Sequence, residues 1–228
     1  MRALRITLIV VVILGGLFVA ADRIAVSIAE SKAADKIQSS QGLSGTPDVS
    51  IKGFPFLTQI AGKELDEVDI SMEGLTTDAG NGRSVRVAEL EAQLHTVAIS
   101  GNFSSATAER ATGTAHISYA DLSRAAGPGV TVGYDPSAKN QVKITGSLLG
   151  LSLTARSRIT VVNGDTIKLH AESIPGGSVP RWEEKVRERT DMERKVEGLP
   201  TGMRLETVKT DKDGMEVSVA GTNVALTG

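Results

Sequence analysis

Long runs of alternating apolar and polar residues restrict this chain to a fold built on antiparallel strands. One run extends from Ala106 to Ile117, and a longer one from Val85 to Ile99 changes its phase twice. The apolar positions of the longer run are, in order, Val85, Val87, Leu90, Ala92, Leu94, Val97 and Ile99. Because a change of phase moves the apolar set to the opposite face of a sheet, we expect bulges to absorb both changes in one long, curved strand.

Two helices interrupt the strand pattern. Asp22 to about Gln41 carries a narrow apolar stripe at helical spacing, and a short helix is predicted from Tyr119 to Ala126. Asn163-Gly164 is the strongest hairpin signal in the chain. Strands and helices do not alternate as parallel sheets require. We therefore predict an α+β fold in which a long, highly curved antiparallel β-sheet wraps the N-terminal helix.

The N-terminus carries an export or anchoring signal. A basic lead ending at Arg5 precedes a run without charge from Ile6 to Ala21, which spans about 24 Å as a helix. Val19-Ala20-Ala21 offers small residues for cleavage, but Ile24 and the residues after it could continue the helix as an uncleaved anchor. Residues 1–21 are predicted to be a signal peptide or membrane anchor. Residues 22–228 are predicted to form a single α+β domain outside the cytoplasm.

Composition argues against catalysis and nucleic-acid binding. The chain has no cysteine and a formal net charge of −2, and no basic stripe is interleaved with its sparse aromatic residues. His95, His116 and His170 lie far apart in sequence, and each is interpreted as an exposed or satisfied strand residue. We therefore expect no enzymatic activity, no catalytic residue, no metal site and no cofactor.

The segment from Val179 to Val196 is the densest in charge. Its acidic and basic residues nearly cancel, and only Trp182, Val186 and Met192 give it a thin apolar side. We interpret it as a solvated surface helix, with a helix lying on a membrane surface as the alternative.

Two of the four phenylalanines, Phe54 and Phe56, flank one proline and precede an amphipathic strand that begins near Leu65. Pro55 fixes its own φ and favours an extended Phe54, so both rings are predicted to lie on a stiff, non-helical backbone. The apolar residues predicted to line a lipid site here are Phe54, Phe56, Leu57 and Ile60. The candidates for contact with a phosphate head group are Lys52, Lys63 and Arg124. From the residues alone, a solid aliphatic core is an open alternative to a cavity.

The chain resembles a known family in three places. These are Gly53-Phe54-Pro55-Phe56-Leu57-Thr58-Gln59, Tyr119-Ala120-Asp121-Leu122, and an ending that starts at Leu199-Pro200-Thr201-Gly202-Met203. The family is that of the LmeA-like phospholipid-binding proteins of actinobacterial cell envelopes. The resemblance implies a tubular lipid-binding (BPI/TULIP-like) fold and adds Tyr119 and Leu122 to the expected lipid site. It also implies a periplasmic protein that binds phospholipid, with phosphoinositides as candidates, and supports lipoglycan assembly. Val179 to Glu197 departs from the family's pattern.

We therefore predict an extracytoplasmic phospholipid-binding protein that holds acyl chains in an apolar cavity and serves as a carrier or accessory in envelope glycolipid assembly. The expected partners are phospholipid, the membrane surface and envelope glycolipid-assembly proteins, with no nucleic acid. The alternative is a non-enzymatic envelope scaffold with a solid core that binds other proteins through Val179–Lys195. An enzyme acting on lipid-linked sugars is a third reading.

Overall fold

The structure is a computed structural model that describes residues 2–41, 43, 45–80, 82–100, 105–148, 151–173, 187 and 191–227. Its helices are α1 (Arg2–Gln41), α2 (Phe56–Gly62) and α3 (Tyr119–Ala126). Its strands are β1 (Asp48–Lys52), β2 (Glu64–Gly80), β3 (Arg83–Ser100), β4 (Ser105–Ser118), β5 (Val130–Tyr134), β6 (Gln141–Leu148), β7 (Leu151–Val162), β8 (Thr166–Ser173), β9 (Met192–Lys195), β10 (Met203–Thr210) and β11 (Gly214–Thr227).

The described strands form two antiparallel sheets. A six-stranded sheet has the order β1-β2-β3-β4-β11-β10, and a five-stranded sheet has the order β5-β6-β7-β8-β9. The sheets are open, with β1 and β10 at the edges of the first and β5 and β9 at the edges of the second. The α+β class and the N-terminal helix are therefore confirmed.

The helix α1 is continuous through the predicted end of the apolar run. Its 40 residues correspond to about 60 Å of helix. Residues 3–21 are all exposed, whereas from Asp22 onward one side of the helix packs on the rest of the protein. Glu30 also accepts a hydrogen bond from the Ile51 amide at 2.8 Å, which ties α1 to the edge strand β1. The chain thus passes from a projecting apolar helix into a packed helix without a linker.

The long strands keep apolar residues buried across changes of phase. Buried positions change parity between Leu94 and Val97 on β3 and between Ala108 and Ala111 on β4. The pairing register nevertheless stays constant, with Val97 opposite Ala108 and Leu94 opposite Ala111. Thr96 lies at this switch with φ +52°, a left-handed conformation that interrupts regular alternation. An irregular backbone position therefore accompanies this phase change, and the predicted bulge is absent from the pairing at this point.

The described residues form two aliphatic core clusters. The first lies where α1 and α2 pack on the six-stranded sheet, and its buried members include Val26, Phe56, Leu65, Val97 and Val224. The second joins the two sheets, and its buried members include Val87, Ile117, Val142, Ile159 and Val217. Each end of the long sheet is thus covered by different elements.

Local signals predicted several elements correctly. Asn163 and Gly164 join β7 to β8 with φ of +56° and +72°, as the tight hairpin turn requires. The helix α3 begins after Ser118, whose hydroxyl accepts a hydrogen bond from the Asp121 amide. It ends at Gly127, where φ is +103°.

The prediction of a helix across the charge-dense segment is wrong at its C-terminal end. Met192–Lys195 is the strand β9, which pairs with β8 so that Met192 lies opposite Leu169 and Lys195 opposite Thr166. A cross-strand ion pair of 2.6 Å between Lys168 and Glu193 accompanies this pairing. Hydrogen bonds to a distant strand therefore override the local helical spacing. Residues 179–186 and 188–190 lie outside the described residues.

Candidate functional site

The Phe-Pro-Phe stretch is tied to the point where α1 enters the folded body. Pro55 precedes α2 and has no polar side chain with which to cap it, so the first amides of α2 need another partner. Asp22 of α1 supplies it, because its Oδ1 accepts a hydrogen bond of 2.8 Å from the Leu57 amide. The Asp22 side chain is fully buried. A carboxylate distant in sequence thus takes the place of an N-cap residue.

The helix α2 corrects one prediction about the Phe-Pro-Phe stretch. Phe56 does not lie on a non-helical backbone, because α2 begins at that residue. The helix ends at Lys63, whose φ of +58° is left-handed and whose amide bonds to the carbonyl of Ile60. Pro55 therefore separates an exposed Phe54 from a short helix that carries Phe56, Leu57 and Ile60.

Gly53 and Gln59 hold the stretch between two strands. The Gln59 amide nitrogen donates to the Lys52 carbonyl at 3.2 Å, and its oxygen accepts from the Asp66 amide at 2.9 Å. Gly53 has φ +90°, and a Cβ there would collide with the Gln59 side chain. Gly53 and Gln59 of the Gly-Phe-Pro-Phe-Leu-Thr-Gln motif thus both stabilise the connection between β1, α2 and β2.

The predicted apolar site residues near α2 have different environments. Phe56 is 4% exposed and belongs to the first cluster, and Leu57 and Ile60 pack against that cluster while half-buried. Phe54 is 57% exposed. Its ring lies 5.2 Å from the guanidinium carbon of Arg23, within the range of a cation–π contact. Three of the four residues are therefore brought together, and Phe54 stands at the surface beside them.

Arg23 completes the charge balance at this junction. Its Nη2 lies 2.5 Å from Asp22 Oδ2, so the buried carboxylate has both an amide and a cation as partners. The arginine side chain itself is 49% exposed. Sequence reasoning missed both residues as parts of a site. The signal that could have found them is their position as the first charged residues after the apolar run.

Tyr119 and Leu122 lie in a different place from the residues of α2. Both pack against the second cluster, where the two sheets meet. The Tyr119 hydroxyl donates a hydrogen bond of 2.7 Å to the Asp211 carbonyl in the turn between β10 and β11. Burial, together with the nearby Asp211 and Tyr134, raises the pKa of Tyr119 to about 12. The six predicted lipid-binding residues are thus divided between two clusters.

Two of the three predicted head-group cations already have carboxylate partners. Lys52 Nζ lies 3.3 Å from Asp69 Oδ2, and Arg124 Nη2 lies 2.7 Å from an oxygen of the buried Asp121. Lys63 is exposed and makes no ion pair within the described part of the chain. Among these three, Lys63 has the charge that is least neutralised.

Two open grooves in the described part of the chain have linings that mix polar and apolar atoms. One of about 460 Å³ lies between α1 and β1, and a second of about 280 Å³ lies over β1, β2 and β3. Charged or hydroxyl residues that line the larger groove are Ser27, Glu30, Ser31, Asp35, Thr46 and Asp48. Such mixed linings do not form the mainly apolar cavity that acyl chains require. An apolar cavity therefore stays a prediction.

Two histidines and one buried aspartate of the described residues have charged or polar partners. His95 lies 3.3 Å from Glu67, and His170 Nδ1 lies 2.8 Å from Asp191. Asp135 is 1% exposed, and the hydrogen bond from the Ser137 hydroxyl is the main cause that lowers its pKa. Over the described ranges, no group of three or more His, Asp or Glu residues is placed to hold a metal ion.

Fold and site together define an α+β protein whose apolar helix leads directly into an aliphatic cluster, with Asp22 and Arg23 paired where the helix enters it. The chain belongs to the LmeA-like phospholipid-binding family, whose model matches residues 20–220. Neither a curated protein nor a solved structure matches it. Membership of this family indicates that the protein binds lipid.

The apolar helix is compatible with a signal or an anchor. The stretch Ala3–Ser40 is long and apolar enough to cross a membrane, with a mean hydropathy of 2.5 over its most apolar window. None of that window is buried in the protein. The helix that leads into the first cluster thus has the composition of a segment that meets lipid.

Proposed function

We propose that this protein binds phospholipid on the outer side of the cytoplasmic membrane, with the acyl chains held along the first cluster, and that it catalyses no covalent step. Its family membership is the observation that carries this proposal. Arg2 and Arg5 precede the apolar run, which favours a cytoplasmic N-terminus and an external body.

The interface between α1 and the six-stranded sheet is our preferred location for the acyl chains. Beside Val26 and Ile37, the helix presents four alanines to this interface, namely Ala25, Ala29, Ala33 and Ala34. Small side chains interdigitate little with the sheet, so a modest displacement of the helix would open a space with aliphatic walls. Leu57 and Ile60 lie half-buried at its border. The proposed apolar cavity would therefore form as lipid enters.

A curved sheet around α1 is part of the proposal. Thr96 on β3 and Asn223 on β11 both have left-handed φ, at +52° and +51°. Both lie at one level of the sheet, since Val97 and Val224 each pair with Ala108 of the strand β4 between them. Irregular positions aligned across neighbouring strands bend a sheet locally, which supports a wrapped, tubular arrangement.

The role we propose is that of a carrier or accessory in envelope glycolipid assembly. A protein held at the membrane by one helix can hand a lipid to a neighbouring assembly protein without chemistry of its own. The resemblance to actinobacterial envelope proteins supports this role, and phosphoinositide is our leading candidate for the lipid.

Native mass spectrometry of the full chain, purified from membranes in mild detergent, tests the proposal. We expect co-purifying phospholipid, whose mass identifies the head group. Leu57→Asn and Ile60→Asn should lose it, and the matched control Leu169→Asn, at a half-buried leucine of the second cluster, should keep it. Circular dichroism verifies that each variant is folded. A folded wild-type chain that carries no phospholipid and takes none from vesicles would contradict the proposal.

The scaffold function remains the second candidate because of β9. This strand lies at the edge of the five-stranded sheet, and all four of its residues are exposed. Charged edge residues such as Glu193 and Lys195 disfavour pairing of a strand with another chain. For this reason the scaffold function ranks below lipid binding. If it is correct, charge reversal at both residues should abolish capture of an envelope protein and leave bound phospholipid unchanged.

A further inference from the structure

We propose that the junction of α1 and α2, formed by Asp22, Arg23, Ile24 and Phe54, is the surface by which the folded body docks onto the outer leaflet of the bilayer. The occupant is the bilayer that contains the first half of α1. This inference rests on the proposed function in one respect, namely that α1 remains in the membrane.

The length of α1 places the junction at the membrane boundary. A hydrocarbon core of about 30 Å corresponds to about 20 helical residues. Arg2 and Arg5 keep the first residues at the cytoplasmic interface. Counted from Ile6, about 20 residues end near Ala25, so the outer boundary falls at the level of the junction. Because α1 is continuous through this level, no linker separates the bilayer from the folded body.

The charges at the junction are arranged as a membrane boundary requires. An unpaired carboxylate beside hydrocarbon is costly, but Asp22 is fully buried and bonded to the Leu57 amide and to Arg23. Arg23 keeps about half of its side chain exposed. It can therefore extend toward lipid phosphates while its partner stays inside the protein.

Exposed apolar side chains also lie on α1 just beyond Asp22 and beside Arg23. From Asp22 onward, the large apolar side chains that the structure describes as exposed are Ile24, Ile28, Phe54, Tyr134 and Met192. Two of them, Ile24 and Ile28, lie one turn apart on α1, and Phe54 contacts Arg23. Aromatic rings and arginines are the residues that favour the membrane interface. Exposure of Ile24, Ile28 and Phe54 to water is unfavourable, whereas contact with the boundary of the outer leaflet would be favourable.

Docking here would join the bilayer to the first cluster. Phe56, which is buried in that cluster, follows the exposed Phe54 by two residues. A phospholipid that leaves the outer leaflet would meet Phe54 first and then the half-buried Leu57 and Ile60. The lipid would then pass into the protein without crossing water.

A single-cysteine label tests the docking surface, because the chain has no native cysteine. Phe54→Cys in the full chain is labelled with an environment-sensitive fluorophore and reconstituted into phosphatidylcholine and phosphatidylglycerol vesicles. Met192→Cys, which replaces a side chain of similar exposure at 49%, is the matched control. We expect a blue shift and quenching by nitroxide lipids at position 54, and neither effect at position 192. Equal, water-like emission at both positions would overturn the proposal.

A second measurement follows lipid uptake from labelled vesicles. Phe54→Asp should slow the uptake severalfold, and Phe54→Leu should restore the rate. An unchanged rate in Phe54→Asp overturns docking through this residue. Failure of the proposed function has a different signature, because the wild-type chain would then bind no phospholipid although it floats with the vesicles.

Discussion

Replacing each phenylalanine of the Phe-Pro-Phe stretch by alanine should have very different effects on stability, although the two residues are only two positions apart. Phe56 is 4% exposed and packs within the first cluster. Phe54 is 57% exposed, and its ring lies 5.2 Å from the guanidinium carbon of Arg23. The sequence predicts the same environment for both rings. A difference in stability between the two variants therefore tests the tertiary structure directly.

The expected magnitudes follow from these environments. Removing a buried phenyl ring lowers the free energy of unfolding by about 3–5 kcal/mol, through lost burial and the cavity that remains. An exposed cation–π contact contributes about 0.5–1 kcal/mol. With a urea dependence of about 2 kcal/mol per molar, the unfolding midpoint should fall by about 1.5–2.5 M for Phe56→Ala. For Phe54→Ala it should fall by about 0.25–0.5 M.

Urea unfolding of the full chain in detergent micelles, followed by the β-sheet signal in circular dichroism, measures both midpoints. Phe56→Leu is the matched control, since it preserves most of the apolar volume and should cost less than about 1.5 kcal/mol. Equal shifts for Phe54→Ala and Phe56→Ala, or a larger shift for Phe54→Ala, would refute the assignment of Phe56 to the core and Phe54 to the surface.

Three further results are expected. Burial raises the pKa of Tyr119 to about 12, so an absorbance titration should show a late tyrosine transition that Tyr119→Phe removes. The stability from the neutral phenol is present below about pH 10 and lost as the pH rises through 12. The Ser137 hydroxyl lowers the pKa of Asp135, so the stability from that carboxylate is present above its ordinary value of 3.8 and lost as the pH falls below it. Asp135→Asn should therefore flatten the acid limb of an unfolding curve. Gly202→Ala should cost about 1–3 kcal/mol in urea, because φ is +98° and a Cβ would lie 2.9 Å from a backbone oxygen. At Gly198, which also has a positive φ but has open space around it, alanine should cost less.

Several elements could be predicted from the sequence because their signals are local. The apolar stripe after Asp22 indicated a helix, and Asn163-Gly164 indicated a hairpin. Ser118 marked the start of α3 by its hydroxyl. In each case, the atoms that stabilise the element lie within a few residues of one another. The α+β class follows from the order of these elements.

The candidate site was predictable only in part. The sequence pointed to Phe56, Leu57 and Ile60, which the fold brings together on α2, and to Tyr119 and Leu122, which lie at the other cluster. Spacing along a chain does not report which end of a long sheet a residue reaches. Whether any of these residues contacts lipid is still a prediction.

The sequence by itself determined the strand alternation, the turns, the apolar N-terminal helix and the family. Only the tertiary structure decided that Asp22 caps α2 from a distance of 35 residues, that Met192–Lys195 is a strand, and that Phe54 is exposed while Phe56 is buried. The physical reason is the same for all three. Each depends on hydrogen bonds or packing between segments that are remote in sequence, and a local pattern of residue types does not contain that information.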